Sequence, residues 1–92
     1  MIFYVYMLKS KSIKPVTYIG YTSNLNKRIK LHNSGKGAKF TRGRHWVLIY
    51  KEQFKSKKEA ISREYYIKKN RTLRNKIKEN IKQWRLLFCY RI

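Results

Sequence analysis

The sequence is poor in acid. It has no aspartate, and its four glutamates, Glu52, Glu59, Glu64 and Glu79, stand against twenty-four lysines and arginines. The formal net charge is +20 over 92 residues. A domain so unbalanced repels itself, and its natural setting is beside a polyanion. The charge points first to nucleic acid and second to an anionic membrane surface, and it identifies a partner without identifying a reaction. Cysteine is nearly absent. Cys89 stands alone, which excludes an intrachain disulfide and a thiolate zinc cage. The two histidines leave too few ligands for a structural zinc finger. No apolar run approaches the length of a bilayer span. The opening run Met1 to Leu8 is apolar, but it has no basic stretch ahead of it and no small-residue cleavage pattern after it. The chain reads as one small soluble, cytoplasmic domain over 1–92, without internal repeats, low-complexity tracts or linkers.

What is present is an aromatic-rich α/β pattern, with 15% Phe, Trp and Tyr to fill a small core. Ile2 to Leu8 is continuous, aromatic and β-branched, and reads as a buried strand. Val16 to Tyr21 reads as a second strand, joined to the first as an antiparallel hairpin. Thr22, Ser23 and Asn24 supply N-cap candidates for a helix over Leu25 to His32, with Gly35 suited to a left-handed C-terminal cap. Lys36 to His45 is a basic loop. Trp46 to Phe54 follows as a third strand, with Trp46, Leu48 and Tyr50 expected on one face. Ser56-x-x-Glu59 is a capping box opening a helix over Lys57 to Asn70. A basic helix over about 73–88, with Ile77, Ile81 and Trp84 at helical spacing, closes the chain behind a core of about 2–70. The expected fold is a small three-stranded mixed or antiparallel sheet flanked by helices, in the order β-β-α-β-α-α.

Polar residues stand where core residues belong. Leu25, Arg28, Ile29 and His32 fall on one helical stripe, so Arg28 and His32 face the sheet with Leu25 and Ile29. A snorkelling Arg28 and a frayed His32 are the bland account. In the second helix, Ala60, Ile61, Glu64, Ile67 and Lys68 form a stripe with a carboxylate inside it. Glu64 then either closes an internal ion pair, with Arg28 as a candidate partner, or offers a ligand to a hard divalent metal. Glu52 lies on a strand, Glu59 is explained by its cap, and Glu79 sits on a solvated helix. Tyr4 and Tyr6 share a strand face and Tyr18 lies on the neighbouring strand, either stacked across the hairpin or turned toward the helices bearing Arg28, His32 and Glu64.

These residues, in this order, resemble the GIY-YIG nuclease domain. Tyr4-Val5-Tyr6 is similar to its first motif, with Tyr in place of the leading Gly, and Tyr18-Ile19-Gly20 matches its second letter for letter. The segment from Tyr21 through Arg28 to His32 and Asn33 resembles the helix that carries the family's catalytic Arg and His. Ala60-Ile61-x-x-Glu64 resembles the helix that supplies its metal-binding Glu. Small stand-alone bacterial members share the Asn33 to Gly43 segment and the Glu64 to Lys69 ending. Tyr21 stands where excision-repair relatives carry a Lys.

The resemblance implies phosphodiester hydrolysis in DNA, or in RNA, with one Mg²⁺ or Mn²⁺ ion and no small-molecule cofactor or membrane partner. Glu64 would hold the metal, and Arg28 would bind the scissile phosphate. Tyr18 or Tyr6 would take a proton from the attacking water. Tyr18 is the preferred base and Tyr6 its positioner, with His32 assisting or relaying. Lys36, Lys39, Arg42 and Arg44 of the loop, with Lys68 and Lys69, would grip flanking phosphates. Two other readings stand beside this one: a non-catalytic DNA- or RNA-binding module with the same fold, and a basic protein bound to another macromolecule such as the ribosome.

Overall fold

The structure is a computed structural model and describes residues 1–78. It consists of β1 (Phe3–Ser10), β2 (Thr17–Thr22), α1 (Leu25–Asn33), a short 3-10 turn (Lys39–Thr41), β3 (Trp46–Phe54) and α2 (Lys57–Lys69). A further helix, α3, starts at 71 and continues to 78, where the described residues end. It begins earlier than expected because the Asn70 side chain accepts the Leu73 N–H at 3.0 Å and caps it. Ile77 points into the core, whereas the expected Ile81 and Trp84 lie outside the described residues.

The sheet is wholly antiparallel with the order β2-β1-β3, so β1 lies in the centre. Helices cover both of its faces, which is why Val5, Tyr6, Met7 and Leu8 are all buried and the strand shows no alternation in sequence. On one face Val5, Met7, Ile19 and Ile49 pack with Ala60 and Ile67 of α2 and Ile77 of α3. On the other, Tyr6, Leu8 and Trp46 pack with Leu25 of α1, flanked by Tyr18 and Ile29.

Two expectations about faces are corrected. Tyr50 does not share a face with Trp46 and Leu48. Met7 pairs with Tyr50 while Leu8 pairs with Leu48, so Ile49 is an extra residue in a β-bulge that turns the strand over. Tyr50 therefore packs with the α2 face and Leu48 with the α1 face. Ile61 is not part of the buried stripe of α2 and is 43% exposed, because Ala60 and Ile67 alone meet the sheet squarely.

Candidate active site

The site begins with a close approach between two strands. Tyr6 lies directly opposite Gly20, and a Cβ at position 20 would fall 2.5 Å from the Tyr6 hydroxyl. The glycine of Tyr18-Ile19-Gly20 is thus the space through which the phenol reaches the margin of the sheet. Tyr18, opposite Leu8, stands on the same face, with its ring centroid 6.4 Å from that of Tyr6.

Above this face lies α1. Asn24 caps it by accepting the Lys27 N–H at 3.1 Å. Gly35, at φ 80°, ends it in the left-handed conformation expected for that position. Leu25 and His32 are buried and Ile29 half-buried, as the stripe requires, while Arg28 leans out to solvent. His32 is 1% exposed and bonded through both ring nitrogens. Its Nε2 lies 2.9 Å from the Tyr6 hydroxyl and its Nδ1 2.9 Å from Thr41 Oγ1. Burial, then the nearby Arg28 charge, pushes the imidazole below its ordinary pKa, so it is neutral at pH 7. Burial, and then the neighbouring Tyr18, raises the Tyr6 phenol far above its ordinary value. Arg28 opposes that rise and Glu64 adds to it.

The loop after α1 is folded around the same histidine. Asn33 holds it at both ends of one residue, accepting the Trp46 N–H at 2.6 Å and donating to the Trp46 carbonyl at 3.2 Å. The buried Trp46 indole donates to the Thr41 carbonyl at 2.9 Å. A Cβ on Gly37 would fall 2.4 Å from His32 Nδ1, so only glycine lets the loop pass this close to the ring.

Glu64 comes from the opposite side of the sheet. The two helices do not cover one face, as the sequence suggested: α1 covers the tyrosine face and α2 the other. Glu64 nevertheless joins the tyrosines, because β2 is an edge strand and Gly20 leaves its margin open. An open cleft of about 540 Å³ passes this margin, lined by Tyr6, Tyr18, Gly20, Arg28, Glu64 and Lys68, together with Ser23 and Lys57. The Glu64 carboxylate pairs with Lys68 at 3.0 Å and not with Arg28. Glu52 is engaged by Arg63 at 2.7 Å, which leaves Glu64 as the described carboxylate that faces the tyrosines.

Among the described residues, no three His, Cys, Asp or Glu side chains come together as a cage. A single hard carboxylate on an open cleft suits a magnesium-like ion, which keeps several waters and shares its remaining positions with a substrate phosphate. The residues present fit such an ion.

The expected phosphate contacts divide. Lys68 lines the cleft, whereas Lys69 turns away and places its ammonium 5.3 Å from the Tyr65 ring. Lys36, Lys39, Arg42 and Arg44 are exposed on the loop beside the cleft. That loop meets the site through Phe40, whose ring stacks 6.3 Å from Tyr18 and carries the Arg44 guanidinium 5.4 Å from its centroid. Three residues escaped the sequence reading. Lys57 and Ser23 line the cleft from helix and loop ends, positions with no periodicity to betray them. Thr41 touches His32 from within the Asn33 to Gly43 segment, whose length and glycines were the available signal.

Comparison with known proteins places this chain in a lineage. The GIY-YIG catalytic domain matches residues 2–80. A UPF0213 protein of Clostridium perfringens is 61% identical over 67 residues, 72% of this chain and 70% of that protein. One from Staphylococcus haemolyticus is 53% identical over 66 residues, 71% of this chain and 78% of that protein. The solution NMR structure of a UPF0213 protein from Bacillus halodurans is 41% identical with a TM-score of 0.50, covering 89% of this chain and 86% of that one. With Tyr6, Tyr18, Arg28, His32 and Glu64 gathered at one cleft and its margin, this chain belongs to the GIY-YIG catalytic-domain family.

Proposed function

We propose that this protein is a cytoplasmic endonuclease that hydrolyses phosphodiester bonds in DNA with the help of one Mg²⁺ or Mn²⁺ ion. The observation that carries the reading is the shared cleft, where two phenols, a guanidinium and a carboxylate converge and His32 backs the buried phenol. Arg28 binds the scissile phosphate and offsets the charge that develops on it. Glu64 would hold the metal, which when bound supplies Lewis-acid stabilisation of the phosphoryl group. Lys57, Lys68 and the loop cations Lys36, Lys39, Arg42 and Arg44 hold the flanking backbone by charge, with a grip that is sequence-tolerant and weakened by salt.

The sequence favoured Tyr18 as base, and the geometry favours Tyr6. Ionising a free phenol at neutral pH costs roughly 4 kcal/mol, and the burial of Tyr6 raises that cost further. A phenolate is therefore not stored there. Tyr6 instead takes a proton from water as its own proton passes to His32 Nε2, 2.9 Å away, so no free phenolate forms. The hydroxide so formed attacks phosphorus, and the broken P–O bond leaves with its electron pair on the departing sugar oxygen. Tyr18, half-buried on the cleft wall, orients the water and the phosphate.

The test is a cleavage panel of single-stranded, duplex and branched DNA with Mg²⁺ and Mn²⁺, run beside Glu64→Ala. Metal-dependent cleavage that the variant lacks, with binding retained, is the expected result. Wild-type protein that binds every substrate and cuts none would make it a binding module instead.

A further inference from the structure

Thr41 carries no role in the reaction proposed above, yet its hydroxyl is wholly buried against the imidazole of His32. We infer that Thr41 is a positioning residue that fixes the His32 tautomer, placing the ring proton on Nδ1 and leaving Nε2 open to accept the proton of Tyr6. This rests on the relay reading, and proton bookkeeping supports it. A threonine hydroxyl has one proton to give. Thr41 Oγ1 lies 2.8 Å from the Ala38 carbonyl oxygen, which has none, so the hydroxyl proton must lie between those two oxygens. Were it turned toward His32, two oxygens would face each other at that distance with no proton between them. With its proton spent on Ala38, Thr41 can only accept from His32, and Nδ1 must carry the hydrogen. The neutral ring then has its lone pair at Nε2, so Tyr6 donates to it.

The surrounding loop is built to hold this arrangement. Ala38 opens the 3-10 turn that ends at Thr41, whose N–H also donates to the Ala38 carbonyl at 3.0 Å. Trp46 fixes the Thr41 carbonyl, and Gly37 lets the loop approach the ring. In the relay the balance is complete. Water loses a proton to the Tyr6 oxygen, the Tyr6 proton moves to Nε2, and the imidazolium still donates from Nδ1 to Thr41.

The test reads the tautomer directly from ring ¹⁵N chemical shifts of the full-length protein at pH 7.5, with His32→Gln used to assign the two histidines. Wild-type and Thr41→Ser protein are expected to show a protonated Nδ1 and an unprotonated Nε2 at residue 32. Thr41→Val, which keeps the shape and loses the hydroxyl, is expected to shift the ring toward the other tautomer. It is also expected to lower kcat about 100-fold with little change in KM, while Thr41→Ser stays within about twofold of wild type by retaining that hydroxyl. A wild-type ring protonated at Nε2 would overturn the proposal, as would an unchanged Nδ1–H tautomer in Thr41→Val. If Thr41→Val does not fold, the wild-type tautomer and the activity of Thr41→Ser still decide. The spectra need no substrate, so failure of the nuclease reading is distinguished from failure of the tautomer.

Discussion

The two faces of this sheet are built from different materials. The α2 face is closed by Val5, Met7, Ile19, Ile49, Ala60, Ile67 and Ile77, with no polar residue among its buried members. The α1 face, by strand register and contact, receives all four of the described buried polar residues: Ser10, Thr22, His32 and Thr41. Each of these has a hydrogen-bond partner, and no buried side-chain polar atom among the described residues is left unpaired. A hydrogen-bonded interior specifies geometry while adding little net stability, whereas an apolar one adds stability and specifies little chemistry. The small domain is thus divided, with an apolar core on one face and the hydrogen-bonded residues of the candidate site on the other.

The sharpest way to test that division is on α2 itself, which carries both kinds of residue one turn apart. Glu64→Ala removes the carboxylate of the cleft and an exposed-side ion pair with Lys68. Cleavage should fall about a thousandfold or more, matching the several kcal/mol a metal supplies. Stability should change by less than about 1 kcal/mol, because such i,i+4 pairs contribute about 0.3–0.5 kcal/mol. Ile67→Ala should do the reverse. It opens a cavity in the apolar face and should cost about 2–5 kcal/mol in chemical denaturation. Below its unfolding transition, it should cut DNA at nearly the wild-type rate per folded molecule. If Glu64→Ala destabilises as much as Ile67→Ala, the two faces are not separate in function.

On the α1 face the comparison is between the two phenols. Tyr6→Phe removes the hydroxyl bonded to His32 and should lower kcat about 100-fold or more, as expected for a lost general base. It also strands a buried ring nitrogen, so about 1–3 kcal/mol of stability should go with it. Tyr18→Phe should have a smaller effect on both. A larger kinetic loss in Tyr18→Phe would return the role of base to Tyr18.

Much of this was legible before the structure. The bounds of β3 coincide with the expected strand, because Trp46 to Phe54 is bracketed by loop residues and rich in strand formers. The inward turn of His32 follows from its place on a stripe with Leu25. The bulge at Ile49 was not legible, since an extra residue in a strand leaves no mark in a sequence whose neighbours are all apolar. Nor was the route by which Glu64 meets Tyr6: the sequence brought them together on one face, whereas they meet around the edge of a three-stranded sheet, one strand away from Tyr6. Thr41 reaches His32 through loop geometry, and no periodicity describes a loop.

The buried histidine also gives the α1 face a pH dependence that the α2 core lacks. The folded His32 has its pKa lowered by burial and by Arg28, while the unfolded residue titrates near its ordinary 6.5. The unfolded chain then binds the proton more readily, so stability is intact above about 6.5 and falls as pH drops toward the folded value. Denaturation midpoints measured from pH 7.5 to 5.5 should decline for wild type and decline less for His32→Gln. Parallel curves for the two proteins would mean that His32 is not the group responsible.

The smallest expected effect separates two lysines at opposite ends of α2. Lys57 lines the cleft although its position gave no signal in the sequence, and Lys69, which the sequence favoured, sits over Tyr65 away from it. A lysine that neutralises a backbone phosphate contributes about 0.7–0.9 to the slope of log affinity against log salt. Lys57→Ala should therefore flatten that slope by nearly one unit, with only a modest loss of affinity at moderate salt. Lys69→Ala should leave the slope where it was. Equal flattening by both would carry the nucleic-acid path out of the cleft and along the outer side of α2, past Tyr65. The boundary between the two faces would then also be the track on which the substrate lies.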